Sequence, residues 1–193
     1  MARTPSTMLP LGTPAPDFAL TDVRTGASVA RADLADAPAL IVAFWCNHCP
    51  FVKHVADEFV AFARDAQQRG AAVVLISSND VDAYPEDSPA EMEAEAEARG
   101  FSFPYLYDET QQVAQAYRAA CTPDFYLFGG DGTLVYRGQF DASRPGNDVP
   151  VNGADLRAAL DAVFEGGAPD AEAQTPSLGC NIKWRPGNEP EYY

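Results

Sequence analysis

Two apolar runs, with a helical pattern between them, organise the first half of the chain. Residues 39–45 and 71–77 are almost continuously apolar, which is typical of strands covered on both faces of a sheet. Between them, apolar residues recur at helical spacing and indicate a helix from about residue 47 to residue 69. These residues are Phe51, Val55, Phe59 and Phe62. The pattern predicts a buried strand, a long helix and a second buried strand.

Shorter patterned segments continue this alternation of strand and helix. An N-terminal hairpin is predicted in residues 16–29, and a second hairpin in residues 125–137 across a glycine-rich turn. Amphipathic helices are predicted for residues 109–119 and 154–164, and a further helix is predicted to begin after Ser88. This order favours an α/β protein with a central mixed sheet and helices on both of its faces.

The chain length suits one domain with extensions at both ends. A chain of 193 residues can bury a full hydrophobic core. Residues 1–14 are rich in Pro, Thr and Ser and are expected to be a loose lead-in. Residues 15–166 carry the patterned elements of the domain. Residues 167–193 contain Gly and Pro without periodicity and are expected to form a tail packed on that domain.

The excess of acidic over basic side chains disfavours two classes of binding partner. Thirteen basic and 28 acidic side chains give a net charge of −15, which disfavours nucleic acid and anionic membranes as partners. No apolar run is long enough to span a bilayer, and the first residues lack the pattern of a secretion signal. We therefore expect a cytoplasmic protein. In that compartment, four cysteines indicate catalysis or metal binding rather than structural disulfides.

The first buried strand leads directly into a Cys-x-x-Cys motif at the predicted start of the long helix. A thiolate at a helix N-terminus faces unpaired backbone N–H groups and the positive end of the helix dipole. Such surroundings lower a cysteine pKa from about 8.5 to about 3.5–7.5. At this spacing the second sulfur is close enough to attack a mixed disulfide and release the product. We therefore predict a dithiol active site at Cys46 and Cys49.

Several motifs together resemble a known superfamily. Trp-Cys-x-x-Cys after a strand, with Thr122-Pro123 opening a later strand, resembles the thioredoxin superfamily. The N-terminal hairpin and the longer middle segment resemble its redoxin branch, the AhpC/TSA-like and TlpA/ResA-like proteins. The Cys-Asn-His-Cys-Pro stretch and the tail motif Gly-Cys-Asn-Ile-Lys-Trp of residues 179–184 are similar to a bacterial subgroup described as thioredoxin-family or AhpC/TSA-family proteins. The resemblance extends roughly from Pro16 to Glu189.

The resemblance implies a thioredoxin-like fold and a role for each matching residue. Cys46 would be the exposed nucleophile and Cys49 the buried resolving thiol. Pro123 would be a cis-proline that faces the disulfide, and Thr122 would offer backbone groups to an extended substrate. The redox-active disulfide would take the place of a cofactor, with no metal. The partners would be protein thiols or disulfides and a separate recycling reductase or oxidant.

Residues next to the cysteines are candidates for tuning the chemistry. A histidine between the cysteines, here His48, resembles the more oxidising members of the superfamily, because it can stabilise a neighbouring thiolate by a hydrogen bond or by charge. Stabilising the thiolate stabilises the reduced form and raises the reduction potential. The alternative is a solvated histidine without effect. Trp45 is a second tuning candidate, whereas Lys53 and His54 are interpreted as ordinary helix-surface residues.

One feature of thioredoxins themselves is missing from the first buried strand. Residues 39–45 contain no acidic side chain, so the carboxylate that thioredoxins use as a proton acceptor for the resolving thiol is absent there. Proton transfer would then use water, His48 or another group.

The two remaining cysteines have open roles. Cys121 directly precedes Thr122-Pro123 and is a candidate third thiol near the site, although a small buried apolar residue is the favoured interpretation. Cys180 in the tail is either a second resolving thiol, a partner for Cys121 or a packed residue. Trp184 is interpreted as the hydrophobic anchor of the tail.

The favoured prediction is a thiol–disulfide oxidoreductase, and three alternatives remain open. A peroxiredoxin-like peroxidase is weaker, because Ala43 and Ala39 occupy the positions at which that family carries a hydroxyl and a proline before the cysteine. A metal-binding module would use Cys46, Cys49, Cys121 and His48. It is disfavoured because no histidine follows His54. A non-catalytic interaction domain is disfavoured because both cysteines of the motif are present.

Overall fold

The computed structural model of the protein describes residues 3–192. Within that range the strands are β1 Arg3–Pro5, β2 Ala19–Asp22, β3 Ser28–Ala30, β4 Ala39–Phe44, β5 Ala72–Ser77, β6 Tyr105–Tyr107, β7 Cys121–Thr122, β8 Asp124–Gly129, β9 Leu134–Gly138 and β10 Leu178–Asn181. The helices are α1 Pro50–Gln68, α2 Pro89–Arg99, α3 Gln112–Ala116 and α4 Ala154–Phe164. None of these helices is long and apolar enough to cross a membrane.

The main sheet has seven strands in the order β3-β2-β6-β5-β4-β8-β9. Strand β5 is parallel to both β4 and β6. Strand β8 is antiparallel to both of its neighbours, β4 and β9. The predicted central mixed sheet and both predicted hairpins are therefore confirmed. The fold is thioredoxin-like, and β4, fully buried along its length, lies between β5 and β8.

Alternate side chains of β4 build two separate cores, as the side-chain period of a strand requires. Ile41 and Ala43 face a core that includes side chains of α1, α2 and α4. Val42 and Phe44 face the opposite core, which is completed by α3 and by Trp184 of the tail. Helices thus cover both faces, as predicted.

A small second sheet corrects the prediction for the two ends of the chain. Strands β1, β10 and β7 pair antiparallel in that order. The predicted loose lead-in therefore contains β1, and the tail without periodicity contains β10. Three-residue and four-residue strands carry too little periodic signal to be recognised in a sequence. Their pairing holds the tail against β7.

Helix α1 begins three residues later than predicted. Cys49 is its N-cap residue, with extended backbone angles (φ −66°, ψ 125°), and Pro50 occupies the first helical position, which suits proline. The dithiol therefore lies in the connection between β4 and α1. Helix α3 is shorter than predicted, because Gln111 and Arg118 adopt positive φ on either side of it.

Candidate active site

Strand register places the Cys-x-x-Cys loop beside a cis-proline loop. Strands β4 and β8 pair so that Phe44 lies opposite Asp124. The residue that precedes Pro123 is therefore close to the residues that follow Phe44. The Thr122–Pro123 peptide bond is cis, which confirms that predicted geometry.

Thr122 contacts both sulfurs of the motif. Its Oγ1 lies 3.2 Å from the Sγ of Cys46, and its carbonyl oxygen accepts a hydrogen bond of 3.2 Å from the Sγ of Cys49. None of the four cysteines is in a disulfide, so the structure represents the reduced protein. In this state the Thr122 carbonyl is bound to the dithiol rather than offered to an extended substrate.

The expectation of an exposed nucleophile is wrong for this state. Cys46 and Cys49 are both 0% exposed. The reason is the loop after β5, which carries Asp87 over the motif. A side-chain ligand atom of Cys46, one of His48 and one of Asp87 all lie within 4.8 Å of one another.

The covering loop is hydrogen-bonded to the C-terminal tail. The backbone N–H of Lys183 donates to Oδ1 of Asn79 at 2.8 Å, and the N–H of Asp80 donates to the Lys183 carbonyl at 2.8 Å. The Lys183 ammonium group also lies 5.4 Å from the ring centre of Tyr84. The loop and the tail therefore cover the dithiol as a connected unit.

Asp87 is the functional-site residue that the sequence reasoning missed. Its Oδ1 accepts the backbone N–H groups of Asn47 (2.8 Å) and His48 (3.3 Å). Its Oδ2 accepts the Asn79 amide at 2.7 Å and lies 2.6 Å from Nδ1 of His48. A sequence signal existed, because residues that follow parallel strands such as β4 and β5 meet at the same sheet edge.

His48 forms an ion pair with Asp87 instead of a hydrogen bond to a thiolate. The hydrogen bond to Asp87 raises the pKa of His48. Burial raises the pKa of Asp87, but hydrogen bonds from His48 and Asn79 outweigh it and hold that pKa below the ordinary value. The His48 ring also stacks on Tyr84 at 5.5 Å. Its Nε2 has no hydrogen-bond partner among residues 3–192, and a tuning role for His48 stays a prediction.

A third sulfur contacts the dithiol, and it belongs to Cys180. The thiol of Cys180 forms a hydrogen bond with Cys49, and both residues lie in the core that contains Cys46. The predicted candidate, Cys121, is also buried, but its thiol points to the carbonyl of Pro123 at 3.8 Å. The connected sulfurs are therefore Cys46, Cys49 and Cys180.

The negative charge of the reduced site belongs on the middle sulfur. Hydrogen bonds from Cys180 and then Cys46 lower the pKa of Cys49 far below its ordinary value, and the N–H of Val52 in the first helical turn adds to this effect. Burial, followed by the hydrogen bond to Cys49, raises the pKa of Cys46. Cys49 thus accepts from two thiols when ionised and donates to Thr122 when protonated.

A buried carboxyl is present, but on the strand next to β4. Asp124 lies opposite Phe44 and accepts hydrogen bonds from Ser6 (3.1 Å) and Tyr126 (2.9 Å). Burial raises its pKa to about 7. Burial, and then the charge of Asp124, raise the pKa of Cys121. The sequence signal was an acidic residue directly after the Thr-Pro motif.

The predicted zinc ligand set is not assembled. Among the described residues, the group with metal-binding geometry is Cys46, His48 and Asp87, without Cys49 or Cys121. Both Asp87 oxygens already accept hydrogen bonds, and His48 is paired with it. These donors satisfy the carboxylate without a cation, so the residues present do not favour a metal centre.

Trp45 lies inside the core rather than at the mouth of the site. It is fully buried, and its ring centre is 5.1 Å from that of Phe59 and 6.4 Å from that of Phe125. These contacts anchor the residue before Cys46, and a tuning role for Trp45 stays a prediction.

The fold and the site define a thioredoxin-like protein of the redoxin type. The family model described as "AhpC/TSA family" matches residues 11–137, so the chain belongs to the AhpC/TSA family. This result confirms the resemblance found in the sequence and supports oxidoreductase activity in general. No curated protein matches the chain.

Solved structures give the same fold. An uncharacterized conserved protein from Geobacillus kaustophilus is 55% identical, with a TM-score of 0.95 over 97% of this chain and 98% of that one. A hypothetical protein from Sinorhizobium meliloti 1021 is 50% identical, with a TM-score of 0.93 over 95% and 100%. A thiol:disulfide interchange protein from Chlorobium tepidum is 18% identical, with a TM-score of 0.61 over 79% and 97%, and supports the fold alone.

Proposed function

We propose that the protein is a thiol–disulfide oxidoreductase that exchanges disulfides with protein thiols through Cys46 and Cys49. The observation that carries the proposal is the placement of both sulfurs within 3.2 Å of Thr122, at the start of α1. Two adjacent thiols at a helix N-terminus can cycle between the dithiol and the disulfide.

The exchange proceeds in two balanced steps. Cys46 attacks a partner disulfide and forms a mixed disulfide, while its proton passes to the departing partner sulfur, which leaves as a thiol. The Cys49 thiolate then attacks Cys46, forming the Cys46–Cys49 bond and releasing the second partner thiolate. The lowered pKa of Cys49 suits this second step, because the attacking group is a thiolate. The partner is reduced by two electrons, and the reverse sequence oxidises it.

The exchange requires the covering loop to move, because Cys46 is fully buried. A groove of about 630 Å³ lies beside that loop and is lined by Asn47, His48 and Glu86, among others. A peptide that enters there reaches the motif once the hydrogen bonds to Asp87 open. A cytoplasmic location, the absence of a further cofactor and a separate recycling reductase or oxidant remain parts of the proposal.

The test is insulin disulfide reduction together with trapping of mixed disulfides. We expect Cys46→Ser to abolish turnover and Cys49→Ser to accumulate a mixed disulfide on Cys46. Cys121→Ala is the matched control, since it removes a buried thiol whose hydrogen bond goes to the carbonyl of Pro123 and not to a sulfur of the motif. Wild-type turnover in the Cys46→Ser variant would overturn the proposal.

A second candidate function is the reduction of a small peroxide. It is favoured by the burial of Cys46, which a small oxidant overcomes more easily than a protein does, and by the Thr122 hydroxyl 3.2 Å from its sulfur. The sequence argument noted Ala43 where peroxidases carry a hydroxyl, and Thr122 places one at the sulfur from another strand. The Cys46 thiolate would take one peroxide oxygen as a sulfenic acid and release an alcohol or water, and Cys49 would then form the disulfide and release water.

Peroxide consumption distinguishes the two functions. With hydrogen peroxide as the substrate and a dithiol as the reductant, a peroxidase would turn over at a rate that falls in both Cys46→Ser and Thr122→Val. A thiol–disulfide oxidoreductase would show insulin reduction and only slow loss of peroxide.

A further inference from the structure

Cys180 is held beside the dithiol by strand pairing. In the β7–β10 pair, Cys180 lies directly opposite Thr122. Thr122 in turn contacts Cys46 through its hydroxyl and Cys49 through its carbonyl. One residue of the cis-proline loop therefore aligns three cysteines, two from the motif and one from the tail.

A glycine allows this close approach. A Cβ atom at position 179 would lie 2.0 Å from the carbonyl oxygen of Thr122 and 3.2 Å from the nitrogen of Pro123. Both contacts are with backbone, which cannot move aside as a side chain can. Any side chain on Gly179 would push β10, and with it Cys180, away from Cys49.

The contact between Cys180 and Cys49 is chemically suited to disulfide transfer. Their thiols are hydrogen-bonded, and Cys180 is buried in the same core as Cys46 and Cys49. Cys49 is thus the shared sulfur of two neighbouring pairs. A thiolate that contacts a disulfide sulfur can exchange with it without any added oxidant.

We propose that Cys180 is a third redox thiol, which receives the disulfide from Cys46–Cys49. This role rests on the proposed oxidoreductase function. The Cys180 thiolate attacks Cys49, the Cys46–Cys49 bond breaks and the Cys49–Cys180 bond forms. The proton of Cys180 is transferred to the departing Cys46 sulfur, so atoms and electrons balance. The oxidised protein then holds its disulfide between α1 and the tail, and Cys46 is again a thiol.

The direct test is disulfide mapping of the oxidised full-length protein. Reduced wild type is oxidised with oxidised glutathione and unfolded in acid to stop thiol exchange. Free thiols are then blocked with N-ethylmaleimide in denaturant at mildly acidic pH, and linked peptides are identified by mass spectrometry. We expect both Cys46–Cys49 and Cys49–Cys180 in wild type and in the control Cys121→Ala. In Cys46→Ser we expect Cys49–Cys180 as the dominant disulfide. In Cys180→Ala we expect Cys46–Cys49 alone.

Two readouts separate this inference from the proposed function. Insulin reduction by Cys46→Ser tests the proposed function, whereas the Cys49–Cys180 peptide in wild type tests the role of Cys180 and needs no variant. Alkylated Cys180 throughout the oxidised wild type, together with no disulfide in Cys46→Ser, would overturn the inference even if turnover is normal. In Cys180→Ala, the thiolate absorbance of Cys49 should also move to higher pH, because a donor to that thiolate is lost.

Discussion

The dithiol lies between the C-terminal tail and the loop after β5, and these two neighbours shift cysteine pKa values in opposite directions. On the tail side, Cys180 donates a hydrogen bond to Cys49 and favours its thiolate. On the loop side, burial raises the pKa of Cys46, and the hydrogen bond to Cys49 and then the charge of Asp87 raise it further. Although the same helix start carries both cysteines, their neighbours set opposite protonation states. Position in a Cys-x-x-Cys motif does not by itself decide which sulfur is ionised.

The difference bears on the proposed exchange. In the structure Cys46 is buried with a raised pKa, and the lowered pKa belongs to Cys49, the sulfur that would perform the second step. Displacing Asp87 would open the cover and remove one of the negative charges that raise the pKa of Cys46. We therefore expect access to the site and activation of Cys46 to occur together.

The largest predicted effect comes from removing the sulfur that both sides share. Cys49→Ser should reduce the turnover of protein disulfides by at least about 100-fold, because no resolving thiolate remains. It should also eliminate both intramolecular disulfides in the mapping experiment. Cys121→Ala serves as the control, and retained turnover in Cys49→Ser would show that Cys49 does not resolve the mixed disulfide.

Asp124 differs from Asp87 in that its hydrogen bonds, among them those from the hydroxyls of Ser6 and Tyr126, do not outweigh the effect of burial on its pKa. Its pKa is about 7 in the folded protein, against about 3.8 for an unperturbed side chain. The stability contribution of its protonated form is complete below pH 3.8 and is lost as the pH rises through 7. Asp124→Asn should therefore gain up to about 4 kcal/mol relative to wild type between pH 4 and pH 8.

Urea denaturation at the two pH values measures this change. The exposed carboxyl of Asp148 provides the control variant Asp148→Asn, for which no such difference between the two pH values is expected. An equal effect of Asp124→Asn at pH 4 and pH 8 would contradict the raised pKa.

The contact between the tail and the cis-proline loop can be disrupted at Gly179. Gly179→Ala should destabilise the protein by about 2 kcal/mol, because the added methyl group meets the Thr122 backbone. The Cys49–Cys180 disulfide should also be lost. Gly167→Ala is a matched tail control, since its Cβ would lie 3.4 Å from its nearest neighbour, the Ala162 carbonyl oxygen. Unfolding curves that are identical for the two variants would refute the tight seating of β10.

The contact between the loop after β5 and the motif can be weakened by neutralising Asp87. The raised pKa of His48 contributes stability below about pH 6.5 that is lost as the pH rises through the folded pKa. The lowered pKa of Asp87 contributes stability above about pH 3.8 that is lost on acidification. Asp87→Asn should therefore cost about 1–2 kcal/mol near pH 5.5 and less at pH 8.

NMR titration of His48 checks the same pair directly. In Asp87→Asn the His48 pKa should fall, and alkylation of Cys46 should become faster because both the cover and the nearby charge are weakened. His54 is the internal control. An unchanged His48 titration would show that Asp87 does not hold its charge.

The sequence was informative where the signal was periodic. The long apolar run of β4 and the amphipathic α1 predicted the central strand, the helix and the dithiol between them. The Thr122–Pro123 motif predicted the cis bond through resemblance. These features depend on contacts close in sequence or on a motif that occurs as a unit.

Partners distant in sequence could not be predicted in the same way. Cys180 meets Cys49 only through pairing of β10 with β7, two short strands without a periodic pattern. Asp87 reaches the motif because the loop after β5 folds over it. The strand order predicts the sheet edge from which that loop leaves, but not which of its side chains meets the motif. Cys46 is buried in a core assembled from residues distant in sequence, so the exposed nucleophile was predicted incorrectly.

The most direct test of the account is which cysteine carries the charge in the reduced protein. Cysteine ¹³Cβ chemical shifts, followed by NMR from pH 3 to pH 10 in reduced wild type, report each thiol separately. We predict that Cys49 titrates well below the ordinary cysteine pKa of about 8.5 and Cys46 above it. A low pKa on Cys46 with a normal or raised pKa on Cys49 would contradict the account.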